Sequence, residues 1–206
     1  MSALAKVLSR LHRMQRSKPF SITGFYTLGT RTSVQKSFSR LAQSGEVVRV
    51  SKGIYVRPKP LKSIPSIKIT ASAEQVARAW AKEHHYKLVP QGLEEAYRLG
   101  LQTQAPIRTV FWSNGPSRLF KVENETVEIR HISERKLRWP KLAEGALLRS
   151  LSVLSPSAIG LEEIIGAFKR LTVRESEFIP ILQKLQATPL PHAWQAKLKQ
   201  FERTLA

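Results

Sequence analysis

Polar and apolar positions follow short helical periods through the first sixty residues, alternate between about 107 and 132, and return to a helical period after Pro140. Leu4, Val7, Leu8 and Leu11 make one apolar stripe on a helix expected over residues 3–16, which turns Lys6, Arg10, Arg13 and Arg16 to solvent or phosphate. A short second helix is expected over 21–28, capped by Ser21 or Thr23. Val34, Phe38 and Leu41 then recur at i, i+4 and i+7, predicting a third helix over 32–44 that begins at Thr32 or Ser33 and stops at Gly45. At 100° per residue its far side carries Lys36, Ser39 and Gln43, with Gln35 and Arg40 on the flanks. A hairpin is expected over 46–57: Val47, Val48 and Val50 lead into a Ser51-Lys52-Gly53 turn where glycine is free to take positive φ, and Ile54-Tyr55-Val56 returns before Pro58.

A polar-faced helix taken alone resembles the surface helix of many globular proteins. Three cations on the hairpin directly after it, Arg49, Lys52 and Arg57, favour the winged helix-turn-helix, which lays one helix in a DNA groove and a β-wing beside it. The expected first domain is therefore a winged helix over 1–61 that binds double-stranded DNA. Its candidate contacts are Thr32, Ser33, Gln35, Lys36, Ser39, Arg40 and Gln43 from the helix and Arg49, Lys52 and Arg57 from the wing.

Charge sharpens this division. The net charge is +19, and residues 1–62 hold thirteen Lys and Arg against a single acid, Glu46. A polyanion partner fits that third of the chain best. Residues 1–21 are also Arg- and Ser-rich, free of acids and amphipathic, which is how a mitochondrial transit peptide reads; the same stripe serves as the first helix of the winged domain. No apolar run long enough to span a membrane and no signal-peptide core is present, and cysteine is missing altogether, so the expectation is a cytoplasmic chain with no membrane partner.

The second expected domain, 62–206, follows a basic, proline-punctuated stretch from Pro58 to Pro65 that reads as a linker or a crossing strand. A helix from Ser72 to about His84, a strand at 87–89 and a helix over 93–99 stopped by Gly100 precede three strand-like runs, 107–112, 118–123 and 126–132, the last two joined at Asn124-Glu125. Helices at 141–153, 160–171, 174–186 and 191–205 complete it, with a kink or break expected at Pro180. The fold class expected is α+β: an N-terminal winged helix, then an α/β domain with an antiparallel meander and a helical tail.

Chemistry is sparse. The five histidines, His12, His84, His85, His131 and His192, include no i, i+4 pair, and all 15 acids are Glu. Short carboxylates, a phosphate loop, a nucleophile elbow and a reactive thiol are missing, so neither catalytic nor metal residues nor a cofactor are expected. Glu94-Glu95 and Glu162-Glu163 read as favourable charges near helix N-termini. Trp80, Trp112, Trp139 and Trp194 read as core or interface anchors, and Asn114-Gly115 as a turn, though Arg118 and Lys121 beside it present a surface for a partner.

The run from Ser33 to Val56, followed by Gly100-Leu-Gln-Thr-Gln-Ala-Pro106, Ser113-Asn-Gly-Pro-Ser-Arg118 and Ile129-Arg-His131, resembles AbiEi-like antitoxins of type IV toxin–antitoxin systems over about residues 20–135. The resemblance implies an N-terminal winged helix that binds inverted repeats in its own promoter and represses it. It also implies a C-terminal domain that counters a nucleotidyltransferase-like toxin, without necessarily binding it, in phage defence. The family's DNA-contacting positions fall here on Ser33, Gln35, Lys36, Ser39, Arg40, Arg49 and Lys52. A monomer or weak dimer, paired on the DNA, would suit such an operator. The other expectation is a regulator of a mobile element whose C-terminal domain dimerises or holds a ligand, with no toxin.

Overall fold

The computed structural model describes residues 2–61, 63 and 68–206. The chain is α+β. In order it runs α1 (Ala3–His12), β1 (Phe20–Ser21), a 3₁₀ turn (Ile22–Leu28), α2 (Arg31–Gln43), β2 (Val48–Ser51), β3 (Ile54–Val56), β4 (Lys59–Pro60), β5 (Lys68–Ile69) and α3 (Ala73–Glu83). It continues with β6 (Leu88–Pro90), α4 (Gly92–Arg98), β7 (Thr109–Ser113), β8 (Arg118–Val122) and β9 (Glu125–His131). The helices α5 (Ala143–Leu151), α6 (Leu161–Arg170), α7 (Phe178–Gln186) and α8 (His192–Leu205) follow.

Two compact units result, one of Met1–Tyr86 with Arg118–Val127 and one of Lys87–Ser117 with Glu128–Ala206. This division differs from the expected boundary after residue 61, because α3 packs against β1, β3 and β8 and so belongs with the N-terminal elements. Of the Pro58–Pro65 stretch, Lys59 and Pro60 pair antiparallel with Ile69 and Lys68, while Lys62, Ile64 and Pro65 lie outside the described residues.

Local chemistry fixes the elements of the first unit. Ser2 caps α1 by accepting the Ala5 N–H at 3.2 Å, and Ser21 caps the 3₁₀ turn through the Thr23 N–H at 3.2 Å. The cap of α2 is Thr30, whose Oγ1 accepts the Ser33 N–H at 3.3 Å, so the helix starts earlier than Thr32 or Ser33 would place it. Gly45, with φ 73°, ends it as expected. The sheet order is β1-β3-β2; Val48 pairs with Val56, Arg49 with Tyr55 and Ser51 with Ile54, which leaves Val50 as the extra residue of a bulge. Lys52-Gly53 makes the turn, Gly53 taking φ 76°.

Val7, Leu11, Ile22, Phe25, Val34, Phe38, Leu41, Val47 and Tyr55 form the core of this unit. Phe38 is its centre: its ring centroid lies 5.0 Å from Phe25 in an edge-to-face contact and 4.8 Å from Tyr55. Truncating a buried Phe of this kind costs roughly 3–5 kcal/mol, so the α2 stripe legible in the sequence is also what fastens α2 to the hairpin.

In the four-stranded sheet the order is β6-β7-β9-β8, so the expected meander is not formed. The β8–β9 turn is Glu123-Asn124, one residue earlier than expected, with Glu123 at φ 52°. Loop 114–117 leads from β7 past β9 to β8. It is fastened there by the His131 N–H to Ser117 Oγ (2.9 Å), the Ile132 N–H to the Ser113 carbonyl (2.9 Å) and a His131 ring contact to the Gly115 carbonyl.

The helical part of the second unit centres on Trp194, Leu198, Phe168, Phe178, Leu147 and Leu182, all at or near zero exposure except Phe178 at 6%. The Trp194 indole donates to the Leu154 carbonyl at 3.1 Å, and Phe168 stacks on Phe178 at 4.3 Å. The helix expected over 174–186 is divided, though ahead of Pro180. A 3₁₀ turn, Glu175–Glu177, precedes α7, and Pro180 falls in its first turn, where the missing N–H has no intrahelical acceptor to lose. Among the described residues no helix is long and apolar enough to cross a membrane.

Candidate nucleic-acid interface

α2 offers its apolar side to the core and leaves Thr32, Gln35, Lys36, Ser39, Arg40 and Gln43 exposed, with Ser33 half-buried. Ser33 Oγ donates to the Thr30 carbonyl at 2.8 Å, so it helps close the helix start rather than standing free. The exposed side chains form two adjoining rows. Arg31, Gln35, Ser39 and Gln43 follow one another every four residues and line an open groove of about 1010 Å³; Thr32, Lys36 and Arg40 form the next row round the helix.

The hairpin supplies the other wall of that groove through Arg49, Lys52, Gly53, Ile54 and Tyr55. Arg49 and Lys52 are exposed. Among the described residues no carboxylate lies within ion-pair distance of Lys36, Arg40, Arg49 or Lys52. Glu83, an acid in the groove's lining, accepts a hydrogen bond from Thr23 Oγ1. The surface is thus a set of hydrogen-bonding side chains between cations that no carboxylate of the described residues pairs with.

Three of the expected cations make contacts within the protein. Arg57 is half-buried, and its Nη1 donates to the Leu11 and His12 carbonyls at 3.3 and 3.2 Å, closing the C-terminal end of α1. Arg10 reaches the Gly24 carbonyl at 2.6 Å with its guanidinium 4.8 Å from the Phe25 ring centre, and Arg16 donates to the Pro58 carbonyl at 2.8 Å. All three tie α1 and the segment after it to neighbouring elements. Lys6, Arg13 and Arg16 are exposed, as expected.

The groove also contains residues outside the expected DNA-contacting set. Arg31 is exposed, with its guanidinium 5.5 Å from the Tyr26 ring centre; placing the cap at Thr30 would have revealed it as the residue one turn before Gln35. His84 at the end of α3 and Arg118 at the start of β8 complete the lining, and no periodicity links either to α2. Among the described residues no group of three or more His, Cys, Asp or Glu gathers as a metal site.

No curated protein matches this chain. A solved structure with some likeness is that of the RV2827C protein from Mycobacterium tuberculosis, 16% identical, with a TM-score of 0.47, covering 96% of this chain and 81% of the other. Residues 6–172 match the model of a family of unknown function, DUF6088, a span that takes in all of α2, the hairpin and the groove they line, and the chain belongs to that family.

Proposed function

We propose that this protein is a DNA-binding antitoxin whose N-terminal elements act as a winged helix on its own promoter. In this reading α2 enters the major groove, the β2–β3 hairpin flanks it, and Gln35, Ser39 and Gln43 offer the amides and hydroxyls that read base edges. Lys36, Arg40, Arg49 and Lys52 serve the phosphates. The observation that carries the reading is the exposure of these cations, on one helix face and the adjoining hairpin, without carboxylate partners among the described residues. Counter-ion release from the duplex supplies the affinity.

The antitoxin part rests on the sequence resemblance. It assigns the second unit the task of countering a nucleotidyltransferase-like toxin, and it involves no catalytic turnover, metal or cofactor. Two copies paired on an inverted repeat would make the operator complex.

The test is a gel shift of the full chain on the duplex upstream of its own gene, comparing wild type with the Lys36→Ala/Arg40→Ala double variant. Both side chains are exposed, so the variant should fold normally and lose the shifted band. An unchanged band removes α2 as the recognition helix. Co-expression with the neighbouring gene, scored as growth rescue, tests the antitoxin half; no rescue from a toxic neighbour leaves a regulator only.

A further inference from the structure

Arg118 opens β8, more than sixty residues beyond the hairpin, yet lines the same groove as Arg31, Gln35, Arg49 and Lys52. It is half-buried, and its guanidinium carbon lies 5.6 Å from the Trp80 ring centre and 5.4 Å from that of Phe120. Among the described residues no carboxylate is in ion-pair range of it. A guanidinium held against two rings has already lost much of its rotamer freedom on folding, while its charge and several N–H donors remain to be met.

That combination suits an anion that arrives from outside and carries oxygen acceptors. We propose that Arg118 is a phosphate contact of the DNA duplex held by α2 and the hairpin. The inference rests on the winged-helix reading and extends it, since it takes the DNA-binding surface into the segment 118–127, which packs in the first unit but lies far along the chain. Arg118 then fixes the position of the backbone beside the hairpin and reads no base.

The experiment is a salt titration of binding by the full chain to the duplex upstream of its gene, for wild type, Arg118→Gln and Arg118→Lys. In Arg118→Gln the affinity should fall several-fold and the slope of log K against log salt become shallower by about one. Arg118→Lys should restore the slope; the slope counts neutralised phosphates, so a side chain needed only to cover Trp80 would leave it unchanged in all three proteins. A slope and affinity in Arg118→Gln equal to wild type overturn the proposal. Should Arg118→Gln fold poorly, modification of the unaltered protein with phenylglyoxal decides: bound duplex should shield Arg118, and equal modification with and without duplex overturns it. If wild type binds no duplex, or binds without salt dependence, the winged-helix reading falls and this inference with it; a normal wild-type slope with an unaltered variant removes Arg118 alone.

Discussion

Glu95 Oε2 accepts hydrogen bonds from both Nε and Nη2 of Arg149, at 3.1 and 2.7 Å, joining α4 to α5 inside the second unit. The side chains are only 9% and 5% exposed, so each charge depends on the other for what water would have supplied. Arg98, three residues further along the same helix, pairs instead with its own i, i+4 partner, Glu94, at 2.8 Å. Arg149→Met should therefore strand a buried carboxylate and cost about 3–5 kcal/mol. Glu95→Leu combined with Arg149→Met removes both charges and should recover most of that loss. Urea unfolding followed by tryptophan fluorescence measures both variants; a double variant no better than the single one would show that packing of the Arg149 stem, not charge pairing, holds the two helices.

The Glu94-Glu95 pair illustrates how far the sequence reaches. Both residues do sit in the first turn of α4, as acids near a helix start should. That Glu95 would meet Arg149 was not legible, because the partner lies 54 positions on and no local period links them. The same boundary separates what was readable in the first unit. The Val34, Phe38 and Leu41 stripe and the glycines at 45 and 53 are local signals, and the elements stand where these put them. Thr30, Thr32 and Ser33 all carry a hydroxyl suited to capping, and sequence alone had no means to choose among them. Arg57 looked like a wing cation because its neighbours are; its engagement of α1 carbonyls depends on a contact 45 residues away. The strand order β6-β7-β9-β8 likewise follows from loop hydrogen bonds at Ser113, Gly115 and Ser117, which strand alternation does not encode.

Lys52 and Arg57 should consequently separate binding from stability. Lys52 stands exposed in the hairpin turn, and Lys52→Ala should leave the melting temperature within a degree or so while weakening duplex binding and flattening its salt dependence by about one unit of slope. Arg57→Ala should do the reverse. Losing two hydrogen bonds to the last carbonyls of α1 should cost about 1–3 kcal/mol, with DNA affinity unchanged at temperatures where the variant stays folded. Thermal melts and gel shifts on the same samples provide the readout. Equal effects of the two substitutions on binding would return Arg57 to the DNA-contacting set.

Acid should act on the second unit through carboxylates at its surface, exposed or half-buried. Glu134 is held below its ordinary value of 4.5 by the hydrogen bond from Lys87 and then by that from Asn114. Glu202 is lowered by Gln183 and Gln186, Glu177 by Arg174 and Glu128 by Arg130. All four belong to the second unit. Because each carboxyl titrates lower in the folded chain than in the unfolded one, the unfolded chain binds more protons between the two values, and stability falls as pH falls. The contribution is complete above the ordinary carboxylate value, declines from there downward, and is gone once the folded groups are themselves protonated. Glu134→Gln removes one of these groups while keeping an oxygen for Asn114. Its melting temperature should lie below that of wild type at pH 7, and the gap should close on titration to pH 3. Being exposed, the Lys87–Glu134 pair is screened, so 1 M salt at pH 7 should shrink the same gap. A gap that stays constant across the pH series would mean that Glu134 acts through packing or solvation instead of its charge.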